Sequence, residues 1–351
     1  RRAQSRPFDS RPCRALPSGS VRGRDHERRR EVVEDLREVL ARFESAGRLA
    51  RVRVPVDPRF ELAGICTRAH RDPRLRDRVL LFEQVRGAEL PVVANLFNTR
   101  EKVAFALGVA ESELLTVGVR ALERPRPPVE VAAGPCQEVV REPPDLRVLP
   151  LCTNSELDGG PYVTAGLHIT ANPETGARNV GVQRNMYHAP DRLGIWMAPT
   201  HMFQHYRLAE EHGAPLPVAI AVGVHPALLV ASQFRLAFDE DELAAAGGLL
   251  GAPVELVRCR TVPLHVPAAA EVVIEGEVLR QVREREGPFG EFARLYGQAR
   301  DLPVVRVKAI THRRDALWHN VIAATVPENA VIGSVVREPA LFRAVRAAVP
   351  T

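Results

Sequence analysis

The sequence predicts an α+β protein with two successive parts, an N-terminal α/β domain and a strand-rich domain that favours a barrel. Helical and strand patterns alternate from residue 27 to residue 123. Seven prolines then interrupt the pattern between residues 124 and 150. From residue 151 to residue 326, short strand patterns outnumber helical ones, which favours a barrel over a doubly wound sheet.

The predicted N-terminal domain, residues 27–123, begins with an amphipathic helix. Apolar residues recur at helical spacing until Gly47 ends the pattern. The other elements of this domain are predicted at 49–56, 79–82 and 90–96 for strands, and at 59–70, 100–107 and 111–122 for helices. The proline-rich residues 124–150 are expected to form a linker to the second domain.

The second domain carries seven β-branched or alternating runs, which are typical of strands. They lie at 163–170, 178–187, 194–198, 217–224, 254–260, 271–278 and 304–310. Helices are predicted at 201–212 and 240–250, and residues 228–231 are predicted to end a strand and turn. Neither a Rossmann nor a P-loop glycine motif is found, so those nucleotide folds are not supported.

The charge distribution argues against a nucleic-acid partner. The chain has a net charge of +5, but residues 1–30 contain ten arginines and only three acids, so the remainder is slightly acidic. Residues 1–26 lack apolar periodicity and do not begin with Met, and we expect a disordered or non-native extension. No apolar run is long enough to span a membrane and no signal peptide is recognised, which predicts a cytoplasmic protein.

Two carboxylates, Glu286 and Glu291, flank the sequence Gly-Pro-Phe-Gly. Pro288 fixes its own φ, and Gly287 and Gly290 allow backbone angles that other residues avoid, so this segment is a non-helical turn. Both carboxylates can then face one point, as acid–base chemistry requires. The alternative is a surface loop with two solvated acids.

Three further groups of polar residues are candidates for chemistry. Asn179 and Arg184 lie five apart on a predicted strand, hence on opposite faces unless a bulge intervenes; the alternative is a turn residue and a rim charge. His201 and His205 share one helical face, but without the glutamate of the HExxH zinc motif. Glu242 begins a helix, where the helix dipole alone favours a carboxylate.

Taken together, these motifs resemble the UbiD family of reversible decarboxylases. In the second domain the resemblance rests on residues 161–170, 179–184, 241–243, 246–247, 251, 275–276 and 286–291. In the first it rests on residues 35–37, 57, 61–63, 81–83, 91–97 and 106–108. The motifs follow the order and spacing of the family from about Leu36 to the C-terminus.

The resemblance implies a split β-barrel, flavin reductase-like domain that binds prenylated FMN, with Mn²⁺ or Mg²⁺ and a K⁺ ion at the flavin phosphate. It assigns Asn179, His201 and Glu242 as metal ligands, with His205 as a rival to His201. Amide and carboxylate oxygens with one imidazole suit such a metal. The expected flavin contacts are Thr164, Asn179, Gly181, Val182, Gln183, Arg184, Thr200, His201, Ser232 and Gln233.

The resemblance also implies a catalytic trio of Arg184, Glu286 and Glu291. Loss of CO₂ leaves a carbanion-like centre that needs an electron sink, which a modified flavin provides and side chains do not. Arg184 is expected to hold the substrate carboxylate and Glu286 to orient Arg184. Glu291 is expected to return the proton, with a pKa raised in a dry cavity.

The implied function is reversible, non-oxidative decarboxylation of an aromatic or α,β-unsaturated acid. Gln183 and residues 196–200 differ from the ubiquinone-pathway pattern, which indicates another acid as substrate. The expected partners are this acid, a flavin prenyltransferase that supplies the cofactor, and further copies of the full-length chain.

Family members continue beyond Thr351, so residues 327–351 are expected to begin a truncated C-terminal domain. The alternatives are an FMN-dependent reductase on a split barrel and an inactive or truncated subunit of a carboxylase complex.

Overall fold

The computed structural model describes residues 35–349. Its helices are α1 (Leu36–Ser45), α2 (Glu61–Arg71), α3 (Arg100–Ala106), α4 (Leu114–Glu123), α5 (His201–Glu211), α6 (Pro226–Ala231), α7 (Glu242–Leu250) and α8 (Glu328–Ala348). The predicted extension 1–26 and the predicted start of the first helix lie outside the described residues. Within 35–349, no helix has the length and apolar character that a membrane crossing requires.

Most strands have two to seven residues, and two in the second half are much longer. They are β1 (Leu49–Val52), β2 (Val79–Phe82), β3 (Val92–Ala94), β4 (Val129–Val131), β5 (Val139–Arg141), β6 (Tyr162–Val163), β7 (Leu167–Ala171), β8 (Arg178–Val182), β9 (Arg184–Ala189), β10 (Arg192–Trp196), β11 (Leu216–Val222), β12 (Glu255–Arg258), β13 (His265–Pro267), β14 (Val272–Glu286), β15 (Phe289–Gly290), β16 (Tyr296–Gly297), β17 (Arg300–His312) and β18 (Trp318–His319).

The N-terminal sheet has four strands in the order β1-β2-β3-β18. Helix α1 covers it, and begins where the Asp35 side chain accepts a hydrogen bond from the Glu38 N–H at 3.0 Å. Leu36, Val39 and Phe43 are buried on the core-facing side of α1. The fourth strand, β18, comes from the far end of the chain and pairs parallel to β3, so residues distant in sequence complete this sheet.

The larger sheet positions the candidate site and has nine strands. Its order is β6-β9-β10-β17-β14-β11-β7-β8, and β5 also pairs with β17. The predicted α+β class is confirmed. Among the described residues, no ladder joins β6 to β8, so hydrogen bonds do not close this sheet into a barrel. Gln183 alone links β8 to β9, which lie near opposite ends of the order, and so short a link requires a strongly curved sheet.

Several predicted boundaries are wrong. The single strand predicted at 178–187 is two strands, because β8 pairs with β7 and β9 pairs with β10 and β6. Likewise, 163–170 divides into β6 and β7. Alternation of side chains cannot reveal a change of pairing partner. Residues 228–231, predicted as strand and turn, lie in helix α6, whose residues are all buried and therefore show no helical periodicity.

The segment predicted as a linker is partly ordered into the sheets. Strand β4 pairs with β12, and β5 pairs with β17. Beyond the larger sheet, the first half of α8 buries Ile332, Val335 and Val336. The second half of this helix and the residue after it leave large apolar side chains exposed, namely Leu341, Phe342, Val345 and Val349.

Candidate active site

The turn between the two predicted carboxylates is held by a second loop. Strand β14 ends at Glu286, and the backbone N–H of Gly159 donates to the Pro288 carbonyl at 2.8 Å. The Gly290 N–H donates to Oδ1 of Asp158, also at 2.8 Å. A β-carbon on Gly159 would lie 2.3 Å from the Gly287 carbonyl oxygen, so only glycine permits this approach.

Arg184 joins the two carboxylates. Its Nε lies 3.0 Å and its Nη2 3.3 Å from the oxygens of Glu286, and its Nη1 donates to Glu291. The side chain of Glu286 is fully buried, whereas that of Glu291 is 35% exposed. The structure thus brings all three residues of the predicted catalytic trio together, with one carboxylate inside and the other at the surface.

Aromatic rings surround the guanidinium of Arg184. Its Cζ lies 4.6 Å from the ring centre of Phe289 and 5.2 Å from that of Trp196. Burial alone would lower the pKa of Arg184, but the carboxylates of Glu286 and Glu291 outweigh it and raise that pKa. Arg184 therefore stays charged and can bind an anionic ligand.

The amide and the carboxylate among the predicted metal ligands lie together. Asn179 is buried on β8, and Glu242, the first residue of α7, accepts a hydrogen bond from the Val180 N–H at 2.8 Å. Burial raises the pKa of Glu242 to about 7, and the charges of Asp241 and Glu240 add to the effect. Among the described residues, no cationic side chain contacts the Glu242 carboxylate, so the site favours an added cation.

The two candidate histidines differ in position on α5. His205 is buried, its Nδ1 lies 3.0 Å from Oγ1 of Thr170, and burial lowers its pKa to about 4, which keeps the imidazole neutral. His201 begins the helix with its ring against Phe238. Neither makes a hydrogen bond to Asn179 or Glu242 within the described part.

A metal site in this region depends on Asn179. Residues 35–349 contain no group of three or more His, Cys, Asp or Glu arranged to hold a metal. The amide of Asn179 lies outside that set of residue types. With Glu242 and one imidazole it makes a donor set that suits Mn²⁺ or Mg²⁺.

The other predicted flavin contacts are spread over four segments. Thr164 belongs to a buried network in which its hydroxyl donates to Asn320 at 2.9 Å and accepts from the Val321 N–H at 3.0 Å. The Ser232 hydroxyl donates to the Leu229 carbonyl, and its neighbour Gln233 is exposed. Gly181, Val182 and Gln183 lie at the end of β8, and Thr200 precedes α5.

A cavity of about 830 Å³ adjoins the turn, with Gly290 in its wall. Three arginines without an ion-pair partner in the described part of the chain also line it. They are Arg68, Arg71 and Arg294. Sequence reasoning missed this cavity, and it missed Asp158, although the sequence Asp-Gly-Gly-Pro at 158–161 is a turn signal beside it.

The comparisons with known proteins agree with this fold. The family model for the 3-octaprenyl-4-hydroxybenzoate carboxy-lyase N-terminal domain matches residues 40–122, and that for its Rift-related domain matches residues 128–326. Anhydromevalonate phosphate decarboxylase from Methanothermobacter thermautotrophicus is 36% identical over 84% of this chain and 68% of that protein. An uncharacterized Synechocystis protein is 33% identical over 85% of this chain and 64% of that protein.

Solved structures agree in fold as well. The UbiD-class enzyme HmfF from Pelotomaculum thermopropionicum, solved with prFMN, is 44% identical, with a TM-score of 0.86 over 91% of this chain and 74% of that one. Vanillic acid decarboxylase from Sedimentibacter hydroxybenzoicus is 30% identical, with a TM-score of 0.85 over 91% of this chain and 71% of that one. Fold and sequence together define the class as the carboxy-lyases, that is, decarboxylases. Within that class, the chain belongs to the UbiD family.

Proposed function

We propose that this chain catalyses the reversible, non-oxidative decarboxylation of an aromatic or α,β-unsaturated carboxylic acid with prenylated FMN. The observation that carries the proposal is the contact of one guanidinium, Arg184, with a buried carboxylate, Glu286, and a partly exposed one, Glu291. Such a cluster binds a carboxylate, orients the binding group and holds an exchangeable proton.

The cofactor is the electron sink for the carbanion-like centre that CO₂ loss leaves behind. HmfF is solved both with prFMN and with FMN, which supports a flavin here. Arg184 binds the substrate carboxylate, and Glu286 holds the guanidinium in orientation. Glu291 returns a proton to the product carbon. Decarboxylation consumes one proton per turnover, and the partial exposure of Glu291 lets it regain that proton from solvent.

Asn179, Glu242 and one histidine, His201 or His205, would hold Mn²⁺ or Mg²⁺ at the cofactor phosphate, with K⁺ nearby. The buried carboxylate of Glu242 without a cationic partner supports this assignment. The metal would neutralise phosphate charge and fix the cofactor. The strong curvature imposed at Gln183 supports a split β-barrel as the cofactor-binding element.

The substrate is an acid whose body enters the cavity beside Gly290. Phe60, Leu295 and Tyr296 supply apolar wall, and Arg68, Arg71 and Arg294 outnumber the acids Asp72 and Glu156 there, which favours an anion. An aromatic body is supported by the neighbours that are named as decarboxylases of vanillic acid and of 3,4-dihydroxybenzoic acid.

A flavin prenyltransferase would supply the cofactor. The exposed apolar end of α8 supports assembly into a homo-oligomer.

The test is co-expression of the chain with a flavin prenyltransferase and Mn²⁺, followed by the absorbance spectrum and mass of the bound flavin. Stoichiometric prenylated FMN and CO₂ release from aromatic or acrylic acids are expected. Plain FMN with oxidation of a nicotinamide would contradict the proposal and favour a reductase. Absence of flavin would favour a subunit that is inactive by itself.

A further inference from the structure

A second ion-paired group lies next to the catalytic trio. The Nδ1 of His188 lies 2.6 Å from Oε2 of Glu284, and the Nη1 of Arg192 donates to Oε1 of Glu284 at 2.9 Å. A carboxylate only accepts hydrogen bonds, so Nδ1 of His188 carries the proton. One oxygen of Glu284 accepts from Arg192 and the other accepts from His188. The second hydrogen bond fixes the orientation of the imidazole.

His188 faces the same side of the sheet as Arg184. Both belong to β9, and although the ladder with β10 shifts register at His188, its ring and the Arg184 partner Glu286 both lie beside Gly194. Their partners lie two residues apart on β14, where Glu286 contacts Arg184 and Glu284 contacts His188. Strands β9 and β14 are therefore joined by two side-chain contacts, one between arginine and glutamate and one between histidine and glutamate. Only the arginine–glutamate contact belongs to the proposed catalytic trio.

The other ring nitrogen of His188 borders the same space as the Glu286 side chain. The Nε2 is buried and makes no hydrogen bond within the described residues. A β-carbon on Gly194 would lie 2.7 Å from this Nε2 and 3.3 Å from Cγ of Glu286, so both side chains border the space that Gly194 leaves open. A buried ring nitrogen without a partner is costly and calls for an explanation.

Exposure falls stepwise along these side chains from solvent to the buried carboxylate. The side chain of Arg192 is 47% exposed, that of Glu284 29%, that of His188 8% and that of Glu286 0%. His188 therefore stands between a group in contact with water and the innermost acid of the trio.

We propose that His188 is a positioning residue that holds Glu286 while Arg184 binds the substrate carboxylate. This rests on the proposed function, because it requires Arg184 to turn toward a substrate. Glu286 would then lose its cation in a buried position and keep only the neutral Tyr162 hydroxyl beside it, which is costly. His188 keeps its Nδ1–H on Glu284, takes one proton from solvent on Nε2, and donates that new N–H to Glu286. The proton returns to solvent when Arg184 pairs with Glu286 again.

The charged groups that face the imidazole come from three strands. Glu284 and Glu286 lie on β14, Arg184 on β9 and Arg192 on β10. The two carboxylates favour the protonated ring and the two guanidinium groups oppose it. When the Arg184 side chain turns away, one opposing charge is removed and the Glu286 carboxylate becomes free to accept a hydrogen bond. Both effects favour a proton on Nε2.

The first test needs no cofactor. Imidazole ¹⁵N NMR of the full chain, with His188→Gln for assignment, would compare the native protein with Arg184→Ala. We expect a slowly exchanging Nε2–H of His188 in Arg184→Ala that is absent from the native protein under the same conditions. The resonance should vanish when Glu286→Gln is added. If Nε2 stays unprotonated at neutral pH in Arg184→Ala, the proposal is overturned; Arg184→Gln gives the same readout should the alanine variant not fold.

The second test uses the loaded enzyme. His188→Gln should lower kcat about tenfold and flatten one limb of the pH profile, with KM within about twofold. His212→Gln is the matched control, because His212 forms an exposed pair with Glu174 at 3.5 Å. An unchanged kcat and pH profile in His188→Gln would overturn the inference. If the native enzyme releases no CO₂ from any acid, the proposed function fails and the NMR result still decides the pairing of His188.

Discussion

The Arg184 cluster and the Glu242 region both bury a glutamate, but they compensate its charge differently. Glu286 is paired with the chain's own guanidinium at 3.0 and 3.3 Å. Glu242 has one backbone N–H at 2.8 Å, no cationic partner within the described residues, and a pKa raised to about 7. The first acid is stable in the protein by itself, whereas the second favours a bound cation. A buried acid without a cation therefore indicates a cation site, whereas a paired one does not.

Removal of Arg184 should have the largest effect. Arg184→Ala removes the guanidinium from buried Glu286, and the single N–H of His188 replaces only part of that pairing, so we expect a loss of roughly 3 kcal/mol in unfolding free energy. Turnover should fall below detection, because no other group in the trio binds a carboxylate. Denaturant unfolding and CO₂ release measure the two effects. Arg207→Ala, which breaks an exposed pair with Glu211 at 3.1 Å, should cost less than about 0.5 kcal/mol; equal losses in both variants would contradict the comparison.

Neutralising the exposed acid of the trio should affect activity more than stability. Glu291→Gln should lower kcat by roughly 10²–10⁴-fold, since it removes the proposed proton donor. Its side chain is partly exposed, so we expect the thermal midpoint and the bound flavin to stay close to those of the native protein. Full activity in this variant would remove Glu291 from its proposed role.

Replacement of Glu242, unlike that of Arg184, should increase the stability of the metal-free protein. The pKa of Glu242 rises on folding from an ordinary 4.5 to about 7, so the folded state binds this proton more tightly than the unfolded state. The metal-free protein should therefore lose stability as pH rises through that interval. Glu242→Gln should stabilise the metal-free chain at pH 7.5 by roughly 1–3 kcal/mol. Thermal unfolding at pH 5 and pH 7.5, with and without Mn²⁺, measures this.

Two results would decide the Glu242 prediction. Mn²⁺ should stabilise the native protein and have no effect on Glu242→Gln. Destabilisation of the metal-free variant at pH 7.5 would mean that the carboxylate is paired with a cation in the free protein.

The smallest effect is expected at Asp158, which supports the turn without belonging to the trio. Asp158→Ala removes the acceptors of the Gly290 and Ser155 N–H groups, at 2.8 and 2.9 Å. We expect a loss of about 1–2 kcal/mol and a several-fold lower kcat. Asp145→Ala serves as the control, because Asp145 accepts the Arg147 N–H in a similar local turn. A larger kcat loss in the control would show that Asp158 has no special relation to the turn.

The Gly-Pro-Phe-Gly turn and the break between β8 and β9 show what the sequence could predict. The Gly-Pro-Phe-Gly turn was predicted from its own residues, because Gly and Pro restrict the local backbone. Contact between Arg184 and that turn could not be derived in this way, since the residues are about a hundred positions apart and only the family resemblance joined them. The α+β class followed from local patterns, whereas the break at Gln183 depends on which strands pair, a tertiary property.

Other features gave weak or no local signals. Helix α6 is buried on all sides, so its residues resemble a buried strand. His188 and Glu284 belong to no sequence motif. Their contact joins β9 to β14, and strands β10 and β17 lie between these two in the sheet. Helical spacing also gives no sign that His205 is buried whereas His201 is only partly buried.

The late strand β18 has a consequence for synthesis of the protein. Strand β3 lacks its parallel neighbour until residues 318–319 have left the ribosome. Until then, one edge of the N-terminal sheet is open, although the family model for that region ends at residue 122. Contacts between residues so far apart in sequence form slowly, and open edges favour aggregation. Completion of the N-terminal sheet is thus coupled to synthesis of the larger sheet during translation.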